Sequence, residues 1–428
     1  MWWMYGFLIL FTVYVCFLFY IRTQSPFWFH QPVYHTSMIY PKIFGYWSKP
    51  YILKPIQQIK PNLFSDFVHI QTCSYSDLQK ERKTNLVKLI QYHYLDTEEF
   101  IYDITAPILD VLFTGQKYQS FVSCYYETTL QETRDKQGIV KFQPKYDDRP
   151  IACMTTNQQY IWFPQWQQSS SSKQSLHFPL YVWDYICTHH EHREKQLSRN
   201  MIQTHLYNQY KQSPVQACLF KKEVSLCIGV VPLVQYHTYT FFIQKTPISR
   251  LPIGYKIKRI ESRTMNAWVE LYTELPQKQE MFDVCVMPPL NNTMQSIQKE
   301  THYVILLLCT LGGQETVKGL YVFKDMNTVW DQPELQQKRT IQCVSSVCYD
   351  MSETLYFFRG FLHSIKELYY QKKEYGVLTI EHNSHNGLLL QRWNEKYPMH
   401  MNTQTAYYLY NMIYPKSPVS SERFFVFG

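Results

Sequence analysis

The sequence predicts an α+β protein in which one N-terminal membrane-spanning helix precedes two halves with the same order of elements. Hydrophobic residues make up 45% and charged residues 18% of the 428 residues, which is typical of a globular chain. Both halves read as strand, strand, helix, strand, although no sequence repeat is visible. We place a transmembrane anchor at residues 1–22 and the two halves at 23–245 and 246–428.

The first predicted element is the N-terminal helix. Met1 to Tyr20 carries no charge and is long enough to cross a bilayer. The stretch lacks the basic start and the small residues before a cleavage site that mark a signal peptide, so an anchor is favoured over a signal peptide or a buried core helix. Basic residues follow the anchor and none precedes it. This asymmetry predicts a single-pass protein whose large domain faces the cytosol.

The remaining elements of the first half follow from local patterns. Residues 24–60 are rich in proline and aromatics and predict an extended arm, and Leu86 to Tyr94 has apolar side chains at helical spacing. Val215 to Phe220 and Leu226 to Val231 predict two strands around a charged turn at Lys221 to Glu223. Tyr236 to Ile243 predicts a further strand.

The second half begins near Leu251. Tyr303 to Cys309 and Gly319 to Phe323 predict a hairpin around the turn at Gly312 and Gly313. A helix follows, in which Leu355, Phe358, Leu362, Ile365 and Tyr369 share one face. Val377 to Ile380 then predicts a strand.

The most informative stretch runs from Tyr181 to Gln203. Its first part, Tyr181 to Cys187, is aromatic and β-branched, as in a buried strand. From His189 on, charged and apolar residues mix as in a turn and the opening of an amphipathic helix. A strand that runs straight into a helix leaves the first N–H groups of the helix unpaired, which favours phosphate binding.

This stretch resembles the signature of the N-myristoyltransferase family, Glu-Ile-Asn-Phe-Leu-Cys-x-His-Lys followed by Arg-x-Lys-Arg. Four residues match it and two are conservative replacements: Cys187, His189, Arg193 and Lys195, then Tyr185 and Ile186. Three other segments match family segments in the same order: Phe27 to Val33, Leu86 to Asp103, and Tyr407 to Asn411 with Pro415. The resemblance therefore covers nearly everything after residue 24, and a divergence this large would suit a fast-evolving viral member.

The resemblance implies two tandem GNAT-like halves, which are acyl-CoA N-acyltransferase folds, related by pseudo-twofold symmetry. It places the acyl-CoA site mainly in the first half and the peptide site in the second. The co-substrate it implies is myristoyl-CoA, with CoA contacts from Phe27, Trp28, Cys187, His189, Arg193 and Lys195. The alternative is that the aromatic pair belongs to the core and the basic pair to a solvated helix face. No metal is expected, because the eleven cysteines show no zinc-site spacing.

Acyl transfer from a thioester needs an oxyanion hole, a proton acceptor and alignment of the substrates. The resemblance assigns the oxyanion hole to the backbone N–H groups of Tyr185 and Ile186, which otherwise are ordinary core strand residues. It assigns the proton to the C-terminal carboxylate. The sequence ends in the apolar run Phe424 to Gly428, as burial of a chain end requires. Gly428 is therefore the expected base, unless this run merely completes a sheet.

Peptide contacts are expected from an acidic turn and three further family positions: Asp96, Glu98, Glu99, His237, Asn386 and Tyr408. The acidic turn would suit a basic side chain after the substrate glycine; the alternative is a solvated turn. The largest departure lies at Lys396 to Thr403, where the family has a glycine-rich Lys-Phe-Gly-x-Gly-Asp-Gly. Those glycines let backbone approach the peptide, so their loss bears on peptide specificity and activity.

Two other functions stay open. The altered glycine-rich segment favours a catalytically inactive, membrane-tethered binding or structural protein. Cys187 and His189 lie two apart and could form the pair of a Cys/His acyltransferase, although strand cysteines are usually buried and inert. The net charge of +8 is spread along the chain, so no nucleic acid is expected. The expected partners are glycine-initiated peptides and a membrane, and the protein is expected to be a monomer.

Overall fold

The computed structural model describes residues 2–38, 41, 43, 49–95, 100–134, 140–167, 175–243, 250–331, 338–370 and 375–428. Within these ranges, the side chains of 128–134, 140–148, 167 and 194 are not described. The acidic residues Asp96, Glu98 and Glu99 lie outside the described residues, so their expected role stays a prediction.

The described helices are α1 (Trp2–Gln24), α2 (Pro26–Phe29), α3 (Lys80–His93), α4 (Ala106–Phe113), α5 (Leu197–Gln212), α6 (Met265–Glu274), α7 (Leu290–Gln298), α8 (Thr354–Tyr369) and α9 (Asn386–Trp393). The described strands are β1 (Tyr51–Ile52), β2 (Ile70–Ser74), β3 (Phe100–Tyr102), β4 (Phe121–Arg134), β5 (Val140–Gln167), β6 (Ser175–Thr188), β7 (Ala217–Glu223), β8 (Val234–Phe242), β9 (Tyr255–Arg259), β10 (Val284–Met287), β11 (His302–Leu311), β12 (Gln314–Trp330), β13 (Arg339–Cys348), β14 (Tyr375–Glu381), β15 (Met401–Tyr410), β16 (Met412–Ile413) and β17 (Phe424–Val426). Across the described residues, fifteen strands form one continuous sheet, and β1 pairs separately with β16.

The sheet contains the same arrangement twice. In the first half, β4, β5 and β6 are antiparallel neighbours, and α5 connects β6 to a parallel β7. In the second half, β11, β12 and β13 are antiparallel, and α8 connects β13 to a parallel β14. Between the two lie β15 and β8, which have exchanged places: β15 pairs with β7, and β8 pairs with β14. The expected α+β fold with two pseudosymmetric halves is confirmed.

The first half has an opening in its sheet. β6 and β7 pair with each other only over Leu180–Val182 of β6, and both strands then continue apart. Beyond this point β6 carries a β-bulge, in which Asp184 and Tyr185 together oppose Thr155 of β5. The gap and the bulge therefore lie side by side, near the ends of the parallel strands β6 and β7. β6 leads into α5, and β7 leads into a loop.

The last strand brings the end of the sequence into the sheet. β17 lies parallel to β10, and Phe424 to Phe427 are buried. The hydroxyl of Ser345 on β13 donates to the carbonyl oxygen of Val426 (2.7 Å) and accepts a hydrogen bond from its N–H (3.3 Å). These contacts hold Gly428 at the junction of the two halves.

The N-terminal helix packs little against the rest of the protein. In α1, Ile21 is the buried residue, and it lies against Gly229. Among the described residues, α1 is the one helix that is long and apolar enough to cross a membrane.

Two local predictions are wrong. The arm that was expected to be extended begins with a short helix, α2, because Pro26 is preorganised for a first helical position. The charged residues Lys221 to Glu223 continue β7 instead of forming a turn, and the stretch Leu226 to Val231 lies outside any described strand. The chain turns at Val224 and Gly229, which both have positive φ.

Candidate active site

A cavity of about 430 Å³ lies between the two halves of the sheet. From the first half it is lined by the bulge of β6 and the end of β7, and from the second by β12, β14 and Gly428. Two of the predicted catalytic residues, Tyr185 and Gly428, therefore meet in one space although they are far apart in the sequence.

Gly428 reaches the cavity beside His302 of β11. The imidazole of His302 stacks on the ring of Phe427, with centroids 5.0 Å apart. Its buried Nε2 atom faces Gly428: it lies 3.3 Å from where a Cβ of residue 428 would be, and an interaction with the Gly428 backbone favours the protonated ring, against the effect of burial on its pKa. Burial, reinforced by the positive charge of Lys324, lowers the pKa of His302 well below its usual range. Burial therefore favours the neutral form of the ring where it contacts the end of the chain.

The β-bulge presents the predicted oxyanion-hole backbone. The N–H of Tyr185 donates to Oγ1 of Thr155 (3.0 Å), so this group already has a partner. The phenol of Tyr185 is buried, and its oxygen lies 2.9 Å from that of Tyr102. Ile186 lies on the opposite side of β6 and lines a neighbouring pocket.

An ion-pair network centred on the buried Glu381 crosses from the first half to the second. Nζ of Lys221 on β7 lies 2.7 Å from carboxylate oxygens of both Glu223 and Glu381. Glu381 on β14 is 2% exposed and also accepts hydrogen bonds from Tyr236 (2.6 Å) and Asn383 (3.0 Å). Burial opposes the charge of Lys221, but the two carboxylates more than offset it and raise its pKa. The attraction of Lys221 lowers the pKa of Glu223.

Asp184 and Lys324 face the same cavity. Burial raises the pKa of Asp184, although Lys324 and a hydrogen bond from Asn157 (3.0 Å) oppose this shift. Burial lowers the pKa of Lys324, against the attraction of Asp184. The cavity thus holds an acid and a base whose environments both favour the neutral forms.

A second pocket of about 450 Å³ adjoins the cavity and shares Trp183, Asp184 and Lys221 with it. One wall is a stack of aromatic rings: the centroid of Phe220 lies 5.0 Å from Trp28 and 4.6 Å from Trp183, with the planes nearly parallel. Of the predicted CoA contacts, Trp28 and Phe27 line this pocket, although Phe27 is buried and packs edge-on against Trp28. We call this space the aromatic pocket.

The predicted phosphate-binding turn lies at the start of α5. Residues 190–195 form a short 3₁₀ helix, and Gln196 in the left-handed region (φ 56°) precedes α5 without a side-chain cap. Arg193 is half-buried and donates to the carbonyl oxygen of His93 (2.9 Å), whereas Lys195 is exposed beside His192. The uncapped first turn leaves N–H groups of α5 available to an anion.

Cys187 and His189 do not form a nucleophile and base. Cys187 is buried, and its thiol lies 3.6 Å from the carbonyl oxygen of Leu89. His189 lies beyond the end of β6 and packs on His93, with ring centroids 4.0 Å apart. Burial and the neighbouring His189 and His190 lower the pKa of His93 to about 4.

Three of the predicted peptide contacts lie outside the cavity lining. Tyr408 is 1% exposed and its hydroxyl accepts a hydrogen bond from the N–H of Cys227. Asn386 is fully buried and its amide donates to the carbonyl oxygen of Glu381 (2.8 Å). His237 is exposed on β8 and pairs with Asn402 (2.8 Å). In this arrangement Tyr408 and Asn386 stabilise the fold.

Sequence reasoning missed most of the charged cavity residues. Lys324 and Glu381 come from β12 and β14, where no local pattern distinguishes them from solvated strand residues. Lys221 was interpreted as part of a turn. Asp184 carried a signal, because it stands in the family signature where the family has Asn.

Comparison with known proteins identifies solved structures with a similar fold but no similar sequence. No protein-family model and no curated protein sequence matches this chain. Among solved structures, Saccharomyces cerevisiae N-myristoyltransferase with bound myristoyl-CoA is similar, with a TM-score of 0.61 and 10% identity over 93% of this chain and 90% of that chain. The same yeast enzyme with bound myristoyl-CoA and inhibitors gives a TM-score of 0.65 and 10% identity over 95% of each chain. The resemblance read from the sequence is thus confirmed at the level of the fold.

Proposed function

We propose that this protein transfers a myristoyl group, or a similar long acyl chain, from acyl-CoA to the N-terminal glycine amine of protein substrates. One observation carries the proposal: Gly428 from the second half and the bulge of β6 from the first half line the same cavity. The aromatic pocket opens beside that cavity and supplies apolar surface for an acyl chain. The yeast enzyme of similar fold was solved with bound myristoyl-CoA, which supports acyl-CoA as the co-substrate.

Binding is divided between the halves, at residues 23–245 and 246–428. Trp28 and Phe27 pack along the co-substrate, and Arg193 and Lys195 with the first N–H groups of α5 hold its phosphates. Cys187 and His189 pack against α3 and stabilise the position of this turn, without contacting CoA directly. The peptide site is centred on the second half, and the first half contributes to it: Asp96, Glu98 and Glu99 provide an acidic rim, and His237 contacts the peptide.

The reaction needs few protein groups. The glycine ammonium gives one proton to the carboxylate of Gly428, and the free amine attacks the thioester carbonyl carbon. The C–S bond then breaks, and a second proton passes from the nitrogen to the sulfur, so that CoA leaves as the thiol. The N–H groups of Tyr185 and Ile186 stabilise the oxyanion. For this role the N–H of Tyr185 must exchange Oγ1 of Thr155 for the substrate oxygen. Neutral His302 positions the end of the chain.

Membrane attachment belongs to the same proposal. We take α1 as a single-pass anchor with the remaining chain on the cytosolic side, because Arg22 in its last turn and the lysines that follow it favour that side. Gln24, the last residue of α1, lines the aromatic pocket, so the anchor holds the acyl-binding region close to the bilayer.

The test measures transfer of a labelled myristoyl group by the full chain in detergent. A glycine-initiated peptide is compared with the same peptide carrying an N-terminal acetyl group, and acyl-CoA binding is measured separately. We expect transfer to the free glycine alone. Binding of acyl-CoA without transfer would support the alternative, a catalytically inactive membrane-tethered binding protein. Absence of both binding and transfer would contradict the proposal altogether.

A further inference from the structure

Three histidine side chains meet where α3 ends and β6 leaves the sheet. His93 is the last residue of α3, and His189 and His190 directly follow β6. The ring centroid of His93 lies 4.0 Å from that of His189 and 5.1 Å from that of His190, and the latter two are 4.5 Å apart. We call these three residues the histidine cluster.

The nitrogen atoms of the histidine cluster are spaced as metal ligands. One ring nitrogen from each residue lies within 4.8 Å of the other two. Nδ1 of His190 and Nδ1 of His93 are 3.3 Å apart. Two imidazole nitrogens bound at about 2.0–2.1 Å to one tetrahedral Zn²⁺ would be separated by about 3.3–3.4 Å. This pair therefore already has the separation of two zinc ligands.

A hydrogen bond between His93 and His190 would explain why those two nitrogen atoms lie close together, but it would give His189 no partner. Nδ1 of His189 is buried and has no hydrogen-bond partner among the described residues; a carboxylate oxygen of Glu191 lies 3.9 Å away, beyond hydrogen-bond distance. Buried polar atoms are nearly always paired, so this ring needs a partner. A cation held between the three rings would provide one.

We propose that the histidine cluster binds one divalent transition-metal ion, for which Zn²⁺ is the probe. Imidazole is a typical ligand of zinc, copper and nickel, whereas magnesium and calcium prefer oxygen ligands. Three protein ligands leave a fourth tetrahedral position for water or an anion. The carboxylate of Glu191, 3.9 Å from Nε2 of His190, balances part of the added charge.

The metal also strengthens the phosphate-binding turn, a step that rests on the proposed function. The cluster adjoins Arg193, whose guanidinium donates to the carbonyl oxygen of His93. The turn contains two acidic residues, Glu191 and Glu194, and two basic ones, Arg193 and Lys195, so with neutral histidines its formal charges cancel. A bound cation adds positive charge there, and its fourth position can take a phosphate oxygen of CoA.

The site is tested on the full chain in detergent after treatment with a chelator. Zn²⁺ alone is titrated by calorimetry and Co²⁺ by visible absorption, and we expect one equivalent of each and a tetrahedral Co²⁺ spectrum. His190→Gln is the main variant, because its side chain is 59% exposed, and we therefore expect the substitution to leave the fold intact. We expect its Zn²⁺ affinity to fall at least about tenfold. His363→Gln on α8 is the matched control and keeps the parent affinity.

If Zn²⁺ did not bind the parent saturably, or if His363→Gln lost as much Zn²⁺ affinity as His190→Gln, the proposed metal site would be overturned. A second titration measures CoA affinity with and without one equivalent of Zn²⁺. We expect Zn²⁺ to tighten CoA binding in the parent but not in His190→Gln. An unchanged CoA affinity would overturn the phosphate role alone, and an absence of CoA binding would contradict the proposed function while the metal titration stands by itself.

Discussion

At the scale of single residues, the cavity depends on a buried carboxylate, Glu381, and on the lysine that pairs with it. Glu381 is 2% exposed, and Lys221 is the cation that compensates it. A buried carboxylate that loses its partner carries most of its desolvation cost uncompensated. The network therefore stabilises the contact between the two halves as long as it is complete.

Replacing Lys221 by Met should destabilise the protein by about 3–5 kcal/mol, because the buried carboxylate of Glu381 would lose the one ammonium group that it contacts directly among the described residues. Urea denaturation of the parent and the variant measures the difference. Lys256→Met is the matched control, since the partner of Lys256 is the exposed Glu315, and it should leave the midpoint nearly unchanged. Equal midpoints for Lys221→Met and the parent would show that the network contributes nothing to stability.

His205 on α5 should make stability depend on pH. Its ring lies between the hydroxyls of Ser123 (2.8 Å) and Thr156 (3.0 Å), and burial lowers its pKa to about 3. Below the unfolded pKa of about 6.5, the unfolded chain binds a proton that the folded chain does not. Stability from this residue is therefore complete above that pH and decreases on acidification, by about 1.4 kcal/mol per pH unit.

The measurement compares the free energy of unfolding of the parent and His205→Gln at pH 6, 5 and 4. Other buried histidines contribute to both proteins, so the difference between the two slopes isolates His205. We expect the variant to lose less stability over this range. Identical slopes would contradict a neutral, buried His205.

The role of a residue could be predicted from the sequence only where the residue lies in a recognisable motif. Trp28 and Tyr185 were found because they lie in family segments, and the apolar run before Gly428 indicated a buried chain end. Burial of Tyr408 and Asn386 was invisible, because it depends on which strands and helices cover them. The histidine cluster was missed for a similar reason: His93 lies on a different segment from its two partners.

At the scale of elements, α8 packs closely on the sheet of the second half. A Cβ added to Gly360 would lie 2.7 Å from the phenol oxygen of Tyr321 and 3.0 Å from Cδ1 of Leu307. The glycine is therefore required by the close approach of helix and strands.

Gly360→Ala should destabilise the protein by about 1–3 kcal/mol through overpacking. The sign of this change in stability distinguishes overpacking from helix propensity, since alanine in a helix interior normally stabilises by about 1 kcal/mol relative to glycine. Thermal unfolding of the variant is compared with Lys366→Ala, an exposed position of α8 that should change stability by less than about 0.5 kcal/mol. A stabilised Gly360→Ala variant would show that α8 packs less closely on the sheet.

Helices were predicted correctly where apolar residues recur at helical spacing. The prediction failed where charged residues of a strand face a cavity. The apolar spacing of Leu86 to Tyr94 and of the face of α8 identified both helices. The end of β7 was taken for a turn because Lys221 to Glu223 are charged, yet Lys221 pairs with the buried Glu381 and with the half-exposed Glu223. A charged strand end inside a cavity has the same composition as a solvated turn.

At the scale of the whole molecule, β8 and β15 interlock the halves. Each half completes its sheet with a strand that comes from the other half of the sequence. Neither half can therefore keep its sheet intact while the other unfolds. The sequence showed the repeated order of elements but not this exchange, because strand pairing is set by long-range contacts.

Unfolding of the chain outside the membrane should consequently be a single cooperative transition. We expect the transitions followed by tryptophan fluorescence and by far-ultraviolet circular dichroism to coincide. Two separated transitions would mean that the halves are independent folding units.

The central claim is that acyl transfer takes place in the shared cavity with the carboxylate of Gly428 as the proton acceptor. The most direct measurement is the rate of myristoyl transfer by a chain with four glycine and serine residues appended after Gly428. A control inserts the same residues between Gly312 and Gly313, where the turn has open space. The account predicts that the extension lowers the rate at least about 100-fold without weakening acyl-CoA binding, and that the control retains the parent rate. An extended chain that transfers as fast as the parent would contradict it.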